Sequence, residues 1–408
     1  MPDKRRSLSG LDFLNFFNAG IQTGLGPFIA IFYQSARHWN PGQIGTLLSI
    51  QSLSGVAVQS YVGNVVDDSH HKRLIAASAA ITVALGCLGI ALFPSFWLQG
   101  VVQAVIGVAV TVFPAATAAF ALGLVEKKEL SKRIGRNETF THAGNVIFAG
   151  LAALVGQLLA IGGIFFAAAG FATGMAGASY WIRGDDINHD AARESEGDGQ
   201  KKSAKDLFRD KRIITFTLAV VLFNAGNTAT LPLVSQLLSG GKKGAAVWQI
   251  SACVVVAEIV MVAVAAFVGK RVDGWGRKPL FLFGFGVLAL RNILTVVSHG
   301  QWYLISLQSL DGIAAAIYGV LLTLVAADLA RGTGRFNFLQ GTVQSAMGLG
   351  GFLSNSLFGW IAKTLGFNAS FVGLSIAAAA GGLLYWIRMP ETKEEGQKEE
   401  KKEEEPAR

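Results

Sequence analysis

Apolar segments about 20 residues long follow one another along almost the whole chain, and each is long enough to cross a hydrocarbon core about 30 Å thick. Twelve can be drawn by apolar length and flanking charge, at roughly 11–33, 43–66, 74–93, 97–124, 138–160, 162–182, 213–238, 246–269, 279–298, 302–327, 337–362 and 368–388. No soluble domain of useful size fits between them. The composition agrees: 51% of residues are hydrophobic and 15% are charged, where soluble domains carry about 25% charge. An all-α, multi-pass integral membrane protein is therefore expected. Cys87 and Cys253 fall inside spans, where they act as small apolar residues and carry no redox message.

An even number of spans puts both termini on one side, and the basic residues choose the side. Of the 35 Lys and Arg, 30 fall in the termini and the loops of one face, four (Arg37, Lys242, Lys243, Lys363) on the other, and Arg291 lies inside a span. The positive-inside bias makes the rich face cytoplasmic. The formal net charge of +8 thus reports membrane orientation, and no nucleic-acid partner is expected. The start, MPDKRRSLSG, has no cleavable signal pattern, so the first span is expected to stay in the protein.

Polar sequence divides the chain. Residues 183–212 contain DDINHD, ESEGDGQKKSAKD and RDKR and read as a cytoplasmic linker between six-span bundles at 1–182 and 213–390. The run at 391–408, KEEGQKEEKKEEEPAR within it, reads as a disordered cytoplasmic tail. The two bundles also resemble each other. Phe17-Asn18-Ala19-Gly20 returns 206 residues later as Phe223-Asn224-Ala225-Gly226, and Gly63 and Asp67 return at the same offset as Gly269 and Asp273. Gln103-x-x-x-Gly107 in the fourth span matches Gln308-x-x-x-Gly312 in the tenth, and Gly135-Arg136 matches Gly334-Arg335 in the corresponding loops. Several matches between corresponding spans point to an internal duplication, the plan of secondary transporters that rock one half against the other.

The segment Gly269-Lys-Arg-Val-Asp273-Gly-Trp-Gly276-Arg277-Lys278, between the eighth and ninth spans, resembles the loop signature of the major facilitator superfamily. That family's fold, two six-helix repeats, would cover the whole chain. The copy after the second span departs from the signature and has His70 where the family has Gly. The resemblance implies that Asp67, Lys72, Arg73, Asp273, Arg277 and Lys278 gate the cytoplasmic face, although such charges also serve simply as topology signals. It further implies that the first, fourth, seventh and tenth spans line a central cavity. Asn18, Gln22, Gln103, Asn224, Asn227 and Gln308 lie on these spans and are expected to bind substrate, since amides are costly facing lipid and inexpensive facing water or a ligand. Hydrogen bonds between helices are the competing use, above all for the paired asparagines. Many proton-driven exporters of the superfamily carry an Arg in the fourth span and a Gly-Pro signature in the fifth. Here the matching positions read Gln103 and a Pro-free Gly144-Asn-Val-Ile-Phe-Ala-Gly150.

Charges inside spans are functional candidates by default. Glu258 is the only Glu deep within a span. A carboxyl group at that depth takes up a proton more readily than one in water, which suits proton coupling, and an equally good use is an interhelical hydrogen bond. Arg291 and Asp311 lie on consecutive antiparallel spans, each at a depth of about 10–14 Å from the less basic face at 1.5 Å per residue. A structural ion pair between them is expected, with proton coupling at Asp311 as the lesser alternative.

These readings converge on secondary active transport of a small organic solute by alternating access, driven by protons or by the solute gradient alone. Antiport, passive facilitation and solute sensing by a transport fold stay open. The chain lacks a phosphate-cradling Gly-x-x-x-x-Gly-Lys-Ser/Thr segment, and its six histidines, mostly in loops, do not form a catalytic or metal constellation. The expectation is thus a monomeric, non-enzymatic carrier in the cell membrane, with no cofactor or metal and with lipid, solute and protons as its partners.

Overall fold

The computed structural model describes residues 4–22, 25–188, 209–239, 246–330 and 336–392. The tail from 393, linker residues 189–208, Lys242, Lys243 and Gly334-Arg335 lie outside them, as do the side chains of Gln22, Asp67 and Asp273. Apart from one short 3-10 turn at Gly184–Asp186, the described regular elements are α-helices. In the first half they are α1 (Arg5–Gln22), α2 (Leu25–Arg37), α3 (Pro41–Asp68), α4 (Lys72–Leu92), α5 (Phe96–Val110), α6 (Val112–Leu124), α7 (Lys127–Leu158) and α8 (Gly163–Trp181). The second half has α9 (Lys211–Asn227), α10 (Thr230–Ser239), α11 (Ala246–Trp275), α12 (Arg277–Thr295), α13 (Gln301–Ala330), α14 (Phe336–Leu365) and α15 (Phe367–Arg388).

These elements make twelve spans, two of which are interrupted within the described residues, between α5 and α6 and between α9 and α10, while α1 and α2 belong to one span on either side of residues 23–24. Proline explains the two interruptions. It has no N–H to donate and its ring crowds the carbonyl four residues back. Pro114 stands four residues after Val110 at the end of α5, and Pro232 four after Thr228, which follows α9. Among the described residues, eight spans are both long and apolar enough to cross a membrane by composition alone. The spans formed by α3 and α14 fall short because they are rich in Ser, Gln, Asn and Gly.

Two helices run further than hydropathy suggests. α7 begins at Lys127, so most of the expected loop before the fifth span is helical. Its apolar Leu130 packs on the core of the first half, which holds this basic segment in register with the span behind it. α11 continues to Trp275, carrying the Gly269–Asp273 segment as helix, and Gly276 at φ 86° turns the chain into α12.

The duplication is visible in the packing of equivalent glycines. A Cβ on Gly107 of α5 would come within 2.1 Å of the Gln51 carbonyl oxygen on α3, and one on Gly312 of α13 within 2.4 Å of the Ala257 carbonyl oxygen on α11. Gly144 of α7 stands against the Phe16 carbonyl of α1 at 1.9 Å by the same measure, and Gly350 of α14 against the Val221 carbonyl of α9 at 2.4 Å. Small residues let helix backbones approach closely where hydrocarbon cannot drive association. The glycine of the repeated Gln-x-x-x-Gly pattern is therefore a packing residue in both halves.

By compactness the chain divides into unit 1 (Met1–Ser195, Leu231–Val255, Asn355–Thr364) and unit 2 (Glu196–Thr230, Val256–Ser354, Leu365–Arg408). Unit 1 thus includes the ends of three spans from the second half of the sequence. Their contacts within it are close: a Cβ on Gly45 of α3 would lie 2.2 Å from the Asn355 carbonyl oxygen, and one on Gly156 of α7 would lie 2.7 Å from Val247. The Trp360 indole N–H donates to Thr46 Oγ1 at 3.1 Å, and Ser239 Oγ donates to Gln34 Oε1 at 2.5 Å.

Candidate functional site

The richest buried polar network of unit 2 gathers around the interruption between α9 and α10. Arg291 of α12, 1% exposed, pairs with Asp311 of α13, 18% exposed. The same guanidinium donates through Nη2 to Asn227 Oδ1 at 2.9 Å and to Asn292 Oδ1 at 3.2 Å. Asn292 Nδ2 donates to the Gly226 carbonyl at 2.7 Å, and Thr230 Oγ1 donates to Asn292 Oδ1 at 3.1 Å. The backbone N–H of Ala229, inside the interruption, donates to Ser354 Oγ at 3.0 Å.

A helix interruption in an apolar medium leaves backbone groups that must find other partners. Here side chains of α12 and α14 supply them. The Asn227 oxygen is turned to Arg291, and the Asn224 amide donates to the Tyr318 hydroxyl at 2.8 Å and to the Val220 carbonyl at 2.9 Å. Phe223 stacks on Tyr318 with 4.0 Å between ring centroids. The repeated Phe-Asn pair in α9 is thus committed to the interior of unit 2. Asn292, Thr230 and Ser354 were not singled out from the sequence, since uncharged residues near a span end carry no signal until the chain is folded.

Glu258 is buried, 6% exposed, about 18 Å along α11 from its start at 1.5 Å per residue. Its neighbour in sequence, Ala257, faces Gly312, the neighbour of Asp311, at the closest approach of α11 and α13.

Unit 1 is built differently. Gln103 of α5 donates through Nε2 to the Tyr33 hydroxyl at 3.0 Å, and Tyr33 donates to Gln99 Oε1 at 2.7 Å. Gln99 Nε2 in turn donates to the carbonyls of Gly89, Ile90 and Phe93. This chain ties α2 and α5 to the end of α4. The side-chain oxygens of Asn18, Gln103 and Gln308 are buried and have no hydrogen-bond donor among the described residues. Gln308 donates through Nε2 only as far as the Leu304 carbonyl of its own helix, at 3.0 Å. Near the basic loops of unit 1, Asp12 of α1 pairs with both Arg133 and Arg136 of α7. Arg133 also donates to Asn137 Oδ1 at 2.8 Å. The sequence did offer a signal for this cluster, an acid at the start of the first span and two arginines before the fifth.

The residues expected to gate are placed as follows. Lys72 is buried and donates to the carbonyls of Val66 at 2.6 Å and Ser69 at 3.0 Å, closing the turn between α3 and α4. Arg73 donates to the Ile182 carbonyl at 2.9 Å, just after α8. In the second half the backbone N–H groups of Arg277 and Lys278 donate to the Glu391 carboxylate at 2.9 and 3.0 Å, and the Arg277 side chain pairs with Asp328 at 3.3 Å. In each half, then, the start of the third span is tied to the segment that follows the sixth.

A duplicated set of six spans, with glycine-tight crossings at equivalent places and charge held inside the second half, defines a polytopic membrane carrier. The family model of the Major Facilitator Superfamily matches residues 11–290 and 241–408. Uncharacterised MFS-type transporters from two strains of Mycobacterium tuberculosis, MT2531 and Rv2456c, are each 38% identical over 392 residues, covering 95% of this chain and 94% of the relative. The chain belongs to the Major Facilitator Superfamily. Among solved structures it is similar to the nucleoside transporter NupG, with TM-score 0.75 and 13% identity over 95% of this chain and 98% of NupG. A single-residue variant of NupG gives TM-score 0.77 and 11% identity over 94% and 100%. At that identity the likeness concerns the fold alone.

Proposed function

We propose that this membrane transporter is a secondary active carrier of a small neutral or amphiphilic organic solute, working by alternating access and coupled to protons. The observation that carries the coupling is that two packed spans each hold an acid, Glu258 buried on α11 and Asp311, paired with Arg291, on α13. Ionisable groups inside spans are functional candidates by default, and a carboxyl group is able to carry a proton. A proton taken up or released there would change the hold of Arg291 on Asn227, the last residue before the helix interruption.

Solute contact is assigned to Asn18, Gln22 and Gln103 in one half and Gln308 in the other, with Asn224 and Asn227 joining them where a solute draws them from Tyr318 and Arg291. The buried oxygens of Asn18, Gln103 and Gln308, which lack donors among the described residues, support this most directly. Buried acceptors call for a partner, and water or the hydroxyl and amine groups of a solute supply one. Asp67, Lys72, Arg73, Asp273, Arg277 and Lys278 are assigned to the gate at the basic face. That face is taken as cytoplasmic, with both termini on it, in a monomer resident in the cell membrane. The two bundles, at 1–182 and 213–390, would move about the linker at 183–212.

The test is solute movement in reconstituted vesicles with an imposed pH gradient, using a mixture of metabolites and drugs. Nucleosides belong in it because NupG is a nucleoside transporter, and because they are neutral and rich in hydrogen-bond donors. Accumulation that follows the gradient in wild type and becomes passive exchange in Glu258→Gln is the expected result. Equal, pH-independent movement in both would make Glu258 structural and the protein a facilitator.

A further inference from the structure

A groove of about 330 Å³ runs between α12 and α15 of unit 2. Phe285 forms its floor, Gly286 and Gly382 leave it open, and Leu282, Leu383 and Trp386 stand along it. Its side chains are apolar but for the indole N–H of Trp386. Leu383 and Trp386 are 53% and 61% exposed, so the groove opens outward from the unit. Phe285 is held inward by Phe223 and Phe281, with ring centroids at 5.2 and 5.4 Å. A Cβ placed on Gly286 would meet nothing within 4 Å.

The equivalent place in the first half is closed. Counted from the starts of the third spans, Lys72 and Arg277, Leu282, Phe285 and Gly286 correspond to Ala77, Ala80 and Ile81 of α4, and at the offset of 206 Gly382 corresponds to Ala176 of α8. Ala77, Ala80 and Ala176 are buried, and Ile81 supplies a large side chain where Gly286 has none. In the first half an isoleucine stands at that place, whereas in the second a glycine leaves the Phe285 ring uncovered. The groove belongs to one half and is not a general consequence of the fold.

We propose that this groove is a binding site for an acyl chain of an anionic phospholipid in the leaflet at the basic face. In a bilayer the outward opening meets hydrocarbon, and a lipid chain laid along the apolar floor recovers dispersion contacts that an unfilled groove would forfeit. The groove begins one turn inside α12, and its stretch from Leu282 to Ala289 spans about 10 Å along the helix axis.

The headgroup preference comes from Lys278, which lies four residues before Leu282 and seven before Phe285, on the same helical stripe as the groove. The backbone N–H groups at this helix start are already held by Glu391. Recognition of a phosphate therefore falls to the Lys278 ammonium, on a stem that can lie along the groove mouth. Trp386 sits near the end of α15 at the same mouth, an interfacial place suited to an indole. The site is independent of whether the chain moves a solute.

The test uses the full-length protein in phosphatidylcholine vesicles, doped with phosphatidylglycerol carrying a photoactivatable acyl chain, with crosslinks mapped by peptide. Label concentrated on 282–289 and 379–386, and lost when Gly286→Leu fills the groove, is the expected result. Lys278→Gln should lower labelling by the phosphatidylglycerol probe about fivefold, the worth of one Lys near an anionic surface, while leaving an equivalent phosphatidylcholine probe unchanged. Label spread evenly around the protein, or undiminished in a folded Gly286→Leu, would overturn the site. Equal labelling of the wild-type groove by the two probes would overturn its anionic preference. If Gly286→Leu does not fold, the wild-type map and the Lys278→Gln comparison still decide.

Discussion

In unit 1 the buried carboxylate Asp12 sits near the basic loops and shares two arginines, one of which, Arg136, is 60% exposed. In unit 2 the carboxylate Asp311 sits deep in a span and shares a guanidinium that is 1% exposed with two asparagines. The scaffold around both is the same, down to the paired glycine crossings. The difference teaches where a duplicated carrier can afford change: glycines that set helix separation are kept in both halves, while buried charge is free to diverge. A charge cluster near the basic face, with one cation open to solvent, fastens helix ends. One set deep in a span on a single buried cation is costly to hold and is therefore the better candidate for work.

The largest expected effect follows from that contrast. Asp311→Ala leaves Arg291 buried without its counter-charge and should cost about 3–5 kcal/mol, recovered in large part by Arg291→Met with Asp311→Leu. Unfolding midpoints in detergent read this directly. A single variant as stable as wild type would show that Arg291 finds enough partners in Asn227 and Asn292.

Asp12→Ala should cost less, about 1.5–3 kcal/mol, the range for hydrogen bonds to charged groups, because Arg136 can turn to water. Should Asp12→Ala prove the more damaging of the two, the proposed division between fastening and working charge is wrong. Gly45→Ala places a Cβ against the Asn355 carbonyl and should oppose that packed state by about 1–3 kcal/mol. Cysteine crosslinking between α3 and the end of α14 would report it as reduced yield, and an unchanged yield would mean that the backbones separate easily.

The smallest effect separates the two glutamines of the repeat. Gln103→Leu breaks the bond to Tyr33 and should cost about 0.5–1.5 kcal/mol, whereas Gln308→Leu, whose amide returns to its own helix, should leave stability near wild type. If both bind solute, both variants weaken transport. A Gln308→Leu that transports normally would remove that residue from the proposed set.

Much of this was legible in the chain. Length and hydropathy mark twelve spans, because crossing a bilayer is a demand each segment meets largely by itself. The spacing of FNAG and of Gln-x-x-x-Gly exposed the duplication. Nothing in the spacing announced that Gly107 and Gly312 are the points of closest approach, or that Asn292, Thr230 and Ser354 serve the interruption before α10. The helical start of α7 was hidden because five basic residues in ten look like a loop to a hydropathy scale, although Leu130 anchors them.

The sequence by itself determined that this chain lives in a membrane, how many times it crosses, which face is basic and that its halves are copies. These follow from transfer free energies and charge, properties that each segment carries wherever its neighbours stand. Only the tertiary structure decided which polar groups share a network and which helix pair stays open on phenylalanine. Those outcomes depend on how each helix is rotated and seated against residues hundreds of positions away, where a single Cβ decides whether two backbones can touch.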